Sequence, residues 1–267
     1  MRTQLVGSPL RVAGPWCKRR RCYRRAHFIA LAAAWQGETN VALKLKRAPN
    51  VTEALEFAAA FVYPAATRRM RKREKIVPII LAAGSSQALP FPKALAPFGR
   101  QTSLEIAAEN CSFLGASLVV LGSDARRILP HVPKSSQVVI NRRWRKGQLS
   151  SLQAALRKIR DDAAFLIYPA DHALLKPETV EQLVRAFRNR SASQEIAMPR
   201  HKGTYGHPVI VSATVRSEFF EARTAREVIY RVPERIRVLN VRTSSIFEDF
   251  DTPESYEECL RKFRVRK

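Results

Sequence analysis

Apolar and polar positions change rhythm at one point in the chain. From Ile76 onward, short apolar runs alternate with amphipathic stretches, and before it they do not. IVPIILA (76–82), SLVVLG (117–122), QVVIN (137–141) and AFLIYPA (164–170) are continuous apolar runs suited to buried strands. EIAMP (195–199), HPVIVS (207–212) and RIRVLNV (235–241) are further strand candidates. Pro78 has no N–H for a ladder and so belongs near the start of its strand.

Helical stretches lie between the runs. Thr102 or Ser103 can cap LEIAAENCSFLG, with Gly115 closing it. Ser150 or Ser151 can start LQAALRKIR, and Pro177 suits the first turn of PETVEQLVRAFRNR. Thr252, Pro253 and Glu254 open ESYEECLRKF with a cap and an early carboxylate. Strands alternating with helices of this length predict an α/β fold, with a mostly parallel, mixed sheet flanked by helices.

Such sheets bind ligands beyond the carboxyl ends of their strands. Polar stretches of this sequence collect there: Gly84-Ser85-Ser86 after the first strand, NRRWRKG after the third and PADH (169–172) after the fourth. EDFDTP (248–253) precedes the last helix. The turn Ala83-Gly84-Ser85-Ser86 with Lys93 soon after suits a phosphate site, where turn amides and a lysine hold anionic oxygens. An ordinary strand and turn with a solvated lysine is the plainer alternative. Asp171 and one of Asp249 or Asp251 could hold a hard divalent cation, with phosphate oxygens and water completing its shell. A turn or cap role is the alternative for each, and spacing does not choose between Asp249 and Asp251.

Charge divides the chain as the apolar pattern does. The 267 residues carry a formal net charge of +24. Residues 1–75 hold 17 Lys and Arg against 4 Glu, with no Asp, and include CKRRRCYRR (17–25). Three readings of 1–75 stand side by side: a basic nucleic-acid-binding arm, an Arg-rich transit-like peptide, or a translation start that really falls at Met70. Within it, NVTEALEFAAAFVYPAATRRM (50–70) is the one helical pattern, interrupted by Pro64. Cys17, Cys22, Cys111 and Cys259 are too scattered for a disulfide framework and lack zinc-site spacing, so reduced thiols and a cytoplasmic location are expected. No apolar run is long enough to span a membrane. Nucleic acid is disfavoured as a partner, because the basic residues lack an interleaved aromatic platform.

The polar stretches also carry a resemblance. VPIILAAGSSQALPFPKAL is similar to the loop LAAGxSxRMGxPKxL of the MobA-like NTP transferase family. NRRWRKGQLSSLQAAL resembles the NxxWxxGxxxSL stretch of its molybdenum-cofactor cytidylyltransferases (MocA-like), and PADHALLKPETV their DxPLVxPxTI segment. GTYGHPVIVS and DFDTPESY resemble GxxGxPVLF and DIDTPEDY. The five segments occur in the family's order and span the region 76–267. The resemblance implies a Rossmann-like nucleotidyltransferase domain there, and transfer of a nucleoside monophosphate, CMP before GMP, from an NTP to a phosphate-bearing acceptor. The molybdenum cofactor is the favoured acceptor, and a molybdoenzyme is an implied partner.

By the same resemblance, Ala83, Gly84 and Ser86 line the triphosphate and Lys93 binds its oxygens. Asn141, Gly147 and Ser151 meet base and ribose. Asp171 with Asp249 or Asp251 holds Mg²⁺, or Mn²⁺ in its place, and His207 and Pro208 face the acceptor. Lys93 and Asp171 are the catalytic pair. The loop departs from the pattern at three positions: Ala88 stands for its arginine, Leu89 for methionine and Pro90 for glycine. A methyl group cannot fork onto phosphate oxygens, and proline offers no N–H. A nucleotide-binding module of impaired turnover, or a molybdoenzyme partner that keeps the fold, is the alternative function. His172 stands where the family often has another polar residue or proline.

Overall fold

The computed structural model describes residues 74–265. The two-cysteine basic segment and the helix expected at 50–70 lie outside the described residues. In chain order the elements begin with β1 (Ile76–Ala82), β2 (Pro97–Phe98), β3 (Gln101–Thr102) and α1 (Ser103–Asn110). β4 (Leu118–Leu121), α2 (Ala125–Ile128), β5 (Gln137–Ile140), α3 (Gln148–Leu156), β6 (Ala164–Pro169) and α4 (Pro177–Arg188) follow. The last part holds β7 (Ile196–His201), β8 (Thr204–Tyr205), β9 (Val209–Val211), α5 (Glu218–Glu221), α6 (Ala225–Tyr230), β10 (Ile236–Asn240) and α7 (Pro253–Val265).

The main sheet runs in the order β10-β7-β9-β6-β1-β4-β5, with β8 hydrogen-bonded to β7 alone. β6, β1, β4 and β5 are mutually parallel, as are β7 and β10. β9 is inserted antiparallel between the two groups. This is the mixed, mostly parallel sheet of a Rossmann-like α/β fold. The chain leaves β1 toward β4 and β5, then returns to add β6 on the other side. The switch in direction falls between β1 and β6, where doubly wound sheets open a crevice.

Both faces of the central strands are covered, which is why β1, β4 and β6 read as continuous apolar runs. QVVIN, expected to be buried, forms the edge strand β5, where Val139 alone is buried because no strand flanks its outer side. Ile80, Val119, Leu166 and Tyr168 pack under α1 and α4, with Leu104, Leu183 and Phe187. Ile79, Val120, Phe165 and Ile167 pack on the opposite face with Leu152 of α3, Phe219 and Val228. A third cluster seats α7 on the β2–β3 hairpin through Phe98, Phe250, Tyr256 and Cys259. The Tyr256 hydroxyl donates to Pro97 O at 2.6 Å.

Pro78 is the third residue of an interior strand and costs the sheet nothing. Leu81 O accepts from Ala170 N, so Leu81 faces β6 and, by alternation, Pro78 faces β4. The β4 ladder begins only at Ile79, paired with Leu118. Thr102 caps α1 in a full capping box with Glu105, and Gly115 closes the following turn at φ 97°. The expected start of α3 is corrected. The helix begins at Gln148 behind Gly147, whose φ is 90°, because the hydroxyls of Ser150 and Ser151 bond Asn141 instead of capping. The strand expected over 207–212 is also shorter: β9 spans Val209–Val211, and Pro208 before it has no N–H to give a ladder.

Glu74 lies within the segment grouped by charge with the basic extension, yet it is bonded to the folded unit. It pairs with Arg190 at 2.7 Å and accepts from Ser212 Oγ and Ala213 N, each at 3.0 Å. The Arg190 side chain is fully buried, so the carboxylate facing it carries a buried charge pair. Glu74→Ala should destabilise the fold by about 3 kcal/mol in denaturant titration, as breaking a buried pair does. A chain shortened to begin at Ile76 should lose a similar amount relative to one beginning at Met70.

Candidate functional site

The loop after β1 is shaped by a glycine on the neighbouring strand. A Cβ on Gly122 would lie 2.3 Å from Ala83 O and 2.8 Å from the Cβ of Trp144. Only a glycine lets the ends of β1 and β4 and the loop after β5 approach so closely. Ser123 then ties the loop down: its N–H donates to Ala83 O at 3.2 Å and its hydroxyl to Gly84 O at 2.8 Å. Gly84 and Ser85 are exposed, and Ser86 Oγ accepts from Lys93 N at 2.8 Å, closing the loop into a ring. Leu89 is buried in the α7 cluster, whereas Ala88 and Pro90 are exposed.

Lys93 follows this ring and reaches the sheet's switch point. Its ammonium lies 3.3 Å from Asp171 Oδ2 and also pairs with Asp251 Oδ1. Asp171 follows β6, and Asp251 precedes α7. Burial acts to lower the Lys93 pKa, but hydrogen bonding and charge from Asp251 and Asp171 outweigh it and raise the value. Burial alone would push Asp171 up. The His172 hydrogen bond and charge, together with Lys93, overcome burial and hold the carboxyl at about 2. His172 Nδ1 lies 3.1 Å from Asp171 Oδ1.

Asn141, Gly147 and Ser151 are drawn together on the β5–α3 side. The Asn141 amide donates to Ser150 Oγ at 2.9 Å and Ser151 Oγ at 3.0 Å, and its oxygen accepts from Arg143 N at 2.9 Å. Asn141 and Ser151 are both buried, so their side chains brace the loop, and Gly147 is exposed at the turn into α3. The braced loop presents Arg142, Arg143, Arg145 and Lys146, all exposed, and the Arg145 guanidinium lies 4.4 Å from the Trp144 ring centre.

His207 enters the site from the other half of the sheet. Its ring meets His172 edge to face, with centres 5.1 Å apart. Burial, with the charge of His172 adding to it, pushes His207 down to about 4. His207 Nδ1 is buried with no hydrogen-bond partner among the described residues. Both histidines line a pocket of about 380 Å³ that also touches Asp171 and Asp249. Pro208 is buried behind His207. Asp249 therefore faces the pocket, and Asp251 faces Lys93. Sequence spacing could not separate these two. It also missed Gly122, whose signal was a lone glycine ending an apolar run, and the His172–Asp171 bond, for which PADH gave the adjacency.

The donor set fits a hard divalent cation. Asp171 and Asp251 already converge on one positive group, and Mg²⁺ is usually bound by one or two carboxylates plus substrate phosphates and water. Among the described residues no group of three or more His, Cys, Asp or Glu could hold an ion alone. A metal here would share its shell with a substrate.

A glycine-shaped turn after β1, a lysine beyond it and carboxylates at the switch point define a nucleotide-binding α/β domain of the nucleotidyltransferase kind. The sequence profile of the MobA-like NTP transferase domain matches residues 78–236, and the chain belongs to that family. Solved structures carry the same fold. The Rv0371c homologue from Mycobacterium sp. strain JC1 superposes with a TM-score of 0.62 at 24% identity, over 72% of this chain and 98% of that one. Rv0371c from Mycobacterium tuberculosis H37Rv, in complex with manganese, gives 0.59 at 23% identity, over 70% and 98%. Molybdopterin-guanine dinucleotide biosynthesis protein A from Archaeoglobus fulgidus gives 0.52 at 15%, over 71% and 99%. No curated protein sequence matches the chain. No helix among the described residues is long and apolar enough to cross a membrane.

A metal drawn to Asp171 and Asp251 would have to displace the Lys93 ammonium from the same two carboxylates. Lys93→Ala should therefore bind Mn²⁺ about tenfold more tightly than the unaltered chain in calorimetry without nucleotide, as expected for the loss of one competing ion pair.

Proposed function

We propose that this chain moves a nucleoside monophosphate from a nucleoside triphosphate to a phosphate-bearing acceptor, with CTP favoured over GTP. The molybdenum cofactor is the favoured acceptor. The observation that carries the reading is the meeting of Lys93, Asp171 and Asp251 beside the loop Ala83–Ser86. The name of the Archaeoglobus relative supports the acceptor class, and the manganese complex of Rv0371c supports a divalent metal.

In the reaction, an oxygen of the acceptor phosphate bonds to the α-phosphorus. The bond from that phosphorus to the oxygen bridging to the β-phosphate breaks, and pyrophosphate leaves with the electron pair. Little covalent work falls to the protein in such a step, so positioning and charge neutralisation do most of it. Ala83, Gly84 and Ser86 line the triphosphate, and Lys93 turns from the carboxylates to its oxygens. Asp171 and Asp251 hold Mg²⁺, with Mn²⁺ as the alternative; when bound, the metal supplies positive charge to the phosphoryl oxygens. Asn141 and Ser151 hold the β5–α3 loop, with Gly147, against base and ribose. His207 and Pro208 form the acceptor side with Asp249.

Residues 76–267, together with Glu74 that is bonded to them, act as the transferase domain on this reading, and the basic extension precedes it. The chain works in the cytoplasm, and a molybdoenzyme receives its product. A second reading rests on Ala88: the exposed loop position offers a methyl group where a guanidinium would grip phosphate, so the chain binds nucleotides with little turnover.

Pyrophosphate release from each of the four ribonucleoside triphosphates, with and without a molybdopterin acceptor, separates the two. Binding without release favours the second. Under the first, Asp171→Asn should lower metal-dependent release by about a hundredfold or more while leaving the melting temperature close to that of the unaltered chain. Ala88→Arg, alone and with Pro90→Gly, should tighten CTP relative to CMP by roughly tenfold under either reading, because the added guanidinium meets more phosphate oxygens on the triphosphate.

A further inference from the structure

The acceptor pocket carries a charge that nucleotidyl transfer alone does not call for. Asp171, His172 and His207 line the pocket, as does α6, a short helix of the segment between β9 and β10. Arg226 and Tyr230 are one helical turn apart on it, so they share a face. The Arg226 guanidinium lies 5.4 Å from the Tyr230 ring centre, and Tyr230 meets Tyr205 edge to face at 5.9 Å.

Other arginines near this wall are neutralised by carboxylates. Arg231 pairs with Glu218 and Glu227, and Arg235 with Glu195 and Glu218. Arg226 forms no ion pair among the described residues, and it is the one Lys or Arg side chain of the lining. A guanidinium held over an aromatic ring keeps its N–H edge free for a carboxylate or phosphate. Asp249, which also lines the pocket, repels an anion from its own side and leaves Arg226 as the seat. A pocket of about 380 Å³ is within the range of small-ligand sites.

We propose that Arg226 selects the acceptor: the pocket takes phosphorylated ring compounds with a second anionic group, the ring against Tyr205 and Tyr230 and that group on Arg226. The proposal rests on the nucleotidyl-transfer reading for the identity of the reacting phosphate.

Calorimetry with two probes, phenyl phosphate and 4-carboxyphenyl phosphate, tests it on the full chain. The carboxylated probe should bind about tenfold more tightly, since one charge-assisted contact is added. Arg226→Gln should erase that preference, and Arg226→Lys should keep part of it. Equal affinity of the two probes, binding of neither, or a preference that survives Arg226→Gln overturns the proposal. CTP titrated into the same protein tests the reading beneath it separately. If CTP fails to bind while the probe preference persists and depends on Arg226, nucleotidyl transfer falls and the anion site stands.

Discussion

The Lys93 ammonium set between Asp171 and Asp251 is the constraint on which the site depends. It joins the loop after β1, the exit of β6 and the segment leading into α7, and Lys93 and Asp251 are 158 residues apart in sequence. Each element that brings these groups together has its own packing reason. The capping box of Thr102 fixes α1, and the hydroxyl of Ser103 donates to Ala170 O, one residue before Asp171. Tyr168, buried beneath the same turn, accepts from Asn110 and donates to His172 O at 3.2 Å. Burial raises its phenol pKa well above the ordinary value, so the hydroxyl stays a donor. The α7 cluster of Phe98, Phe250 and Tyr256 places Asp251. Hydrophobic burial does the positioning, and the charges meet as its consequence.

The fold was legible because its signals are local. Continuous apolar runs, the Thr102 cap and Pro177 at a helix start follow from neighbours in sequence, and the alternation of runs and helices gives the layering. The boundaries that sequence placed wrongly were decided by distant partners. Ser150 and Ser151 look like caps, but Asn141 takes their hydroxyls and the helix starts earlier, at Gln148. Glu74 was hidden in a basic run because its partner, Arg190, is 116 residues away. The site was legible as three polar stretches at strand ends and a fourth before the last helix. Which aspartate faces Lys93 depends on the turn before Thr252, and Gly122 on how closely Ala83 and Trp144 approach, and neither follows from residue type.

The loop departures at 88–90 do not undo the loop's architecture. Leu89 fills the cluster under the loop, the Ser86–Lys93 bond closes the ring, and Ser123 holds its first two carbonyls. These contacts shape the turn without help from the side chains of residues 88 and 90, which are exposed. The departures at 88 and 90 therefore leave the course of the loop to its buried and hydrogen-bonded neighbours.

The sheet divides the chemistry in the same way. Its parallel half, β5-β4-β1-β6, sends the glycine turn, Lys93 and the braced Asn141 loop to one side of the switch point. The half containing β9 and β7 sends His207, Tyr205 and, through α6, Arg226 to the other. β6 belongs to both, and two residues of the turn that follows it show it: Asp171 turns to Lys93, and His172 meets His207. Because these residues are consecutive and hydrogen-bonded to each other, anything that shifts the charge around Asp171 is felt at the wall of the pocket.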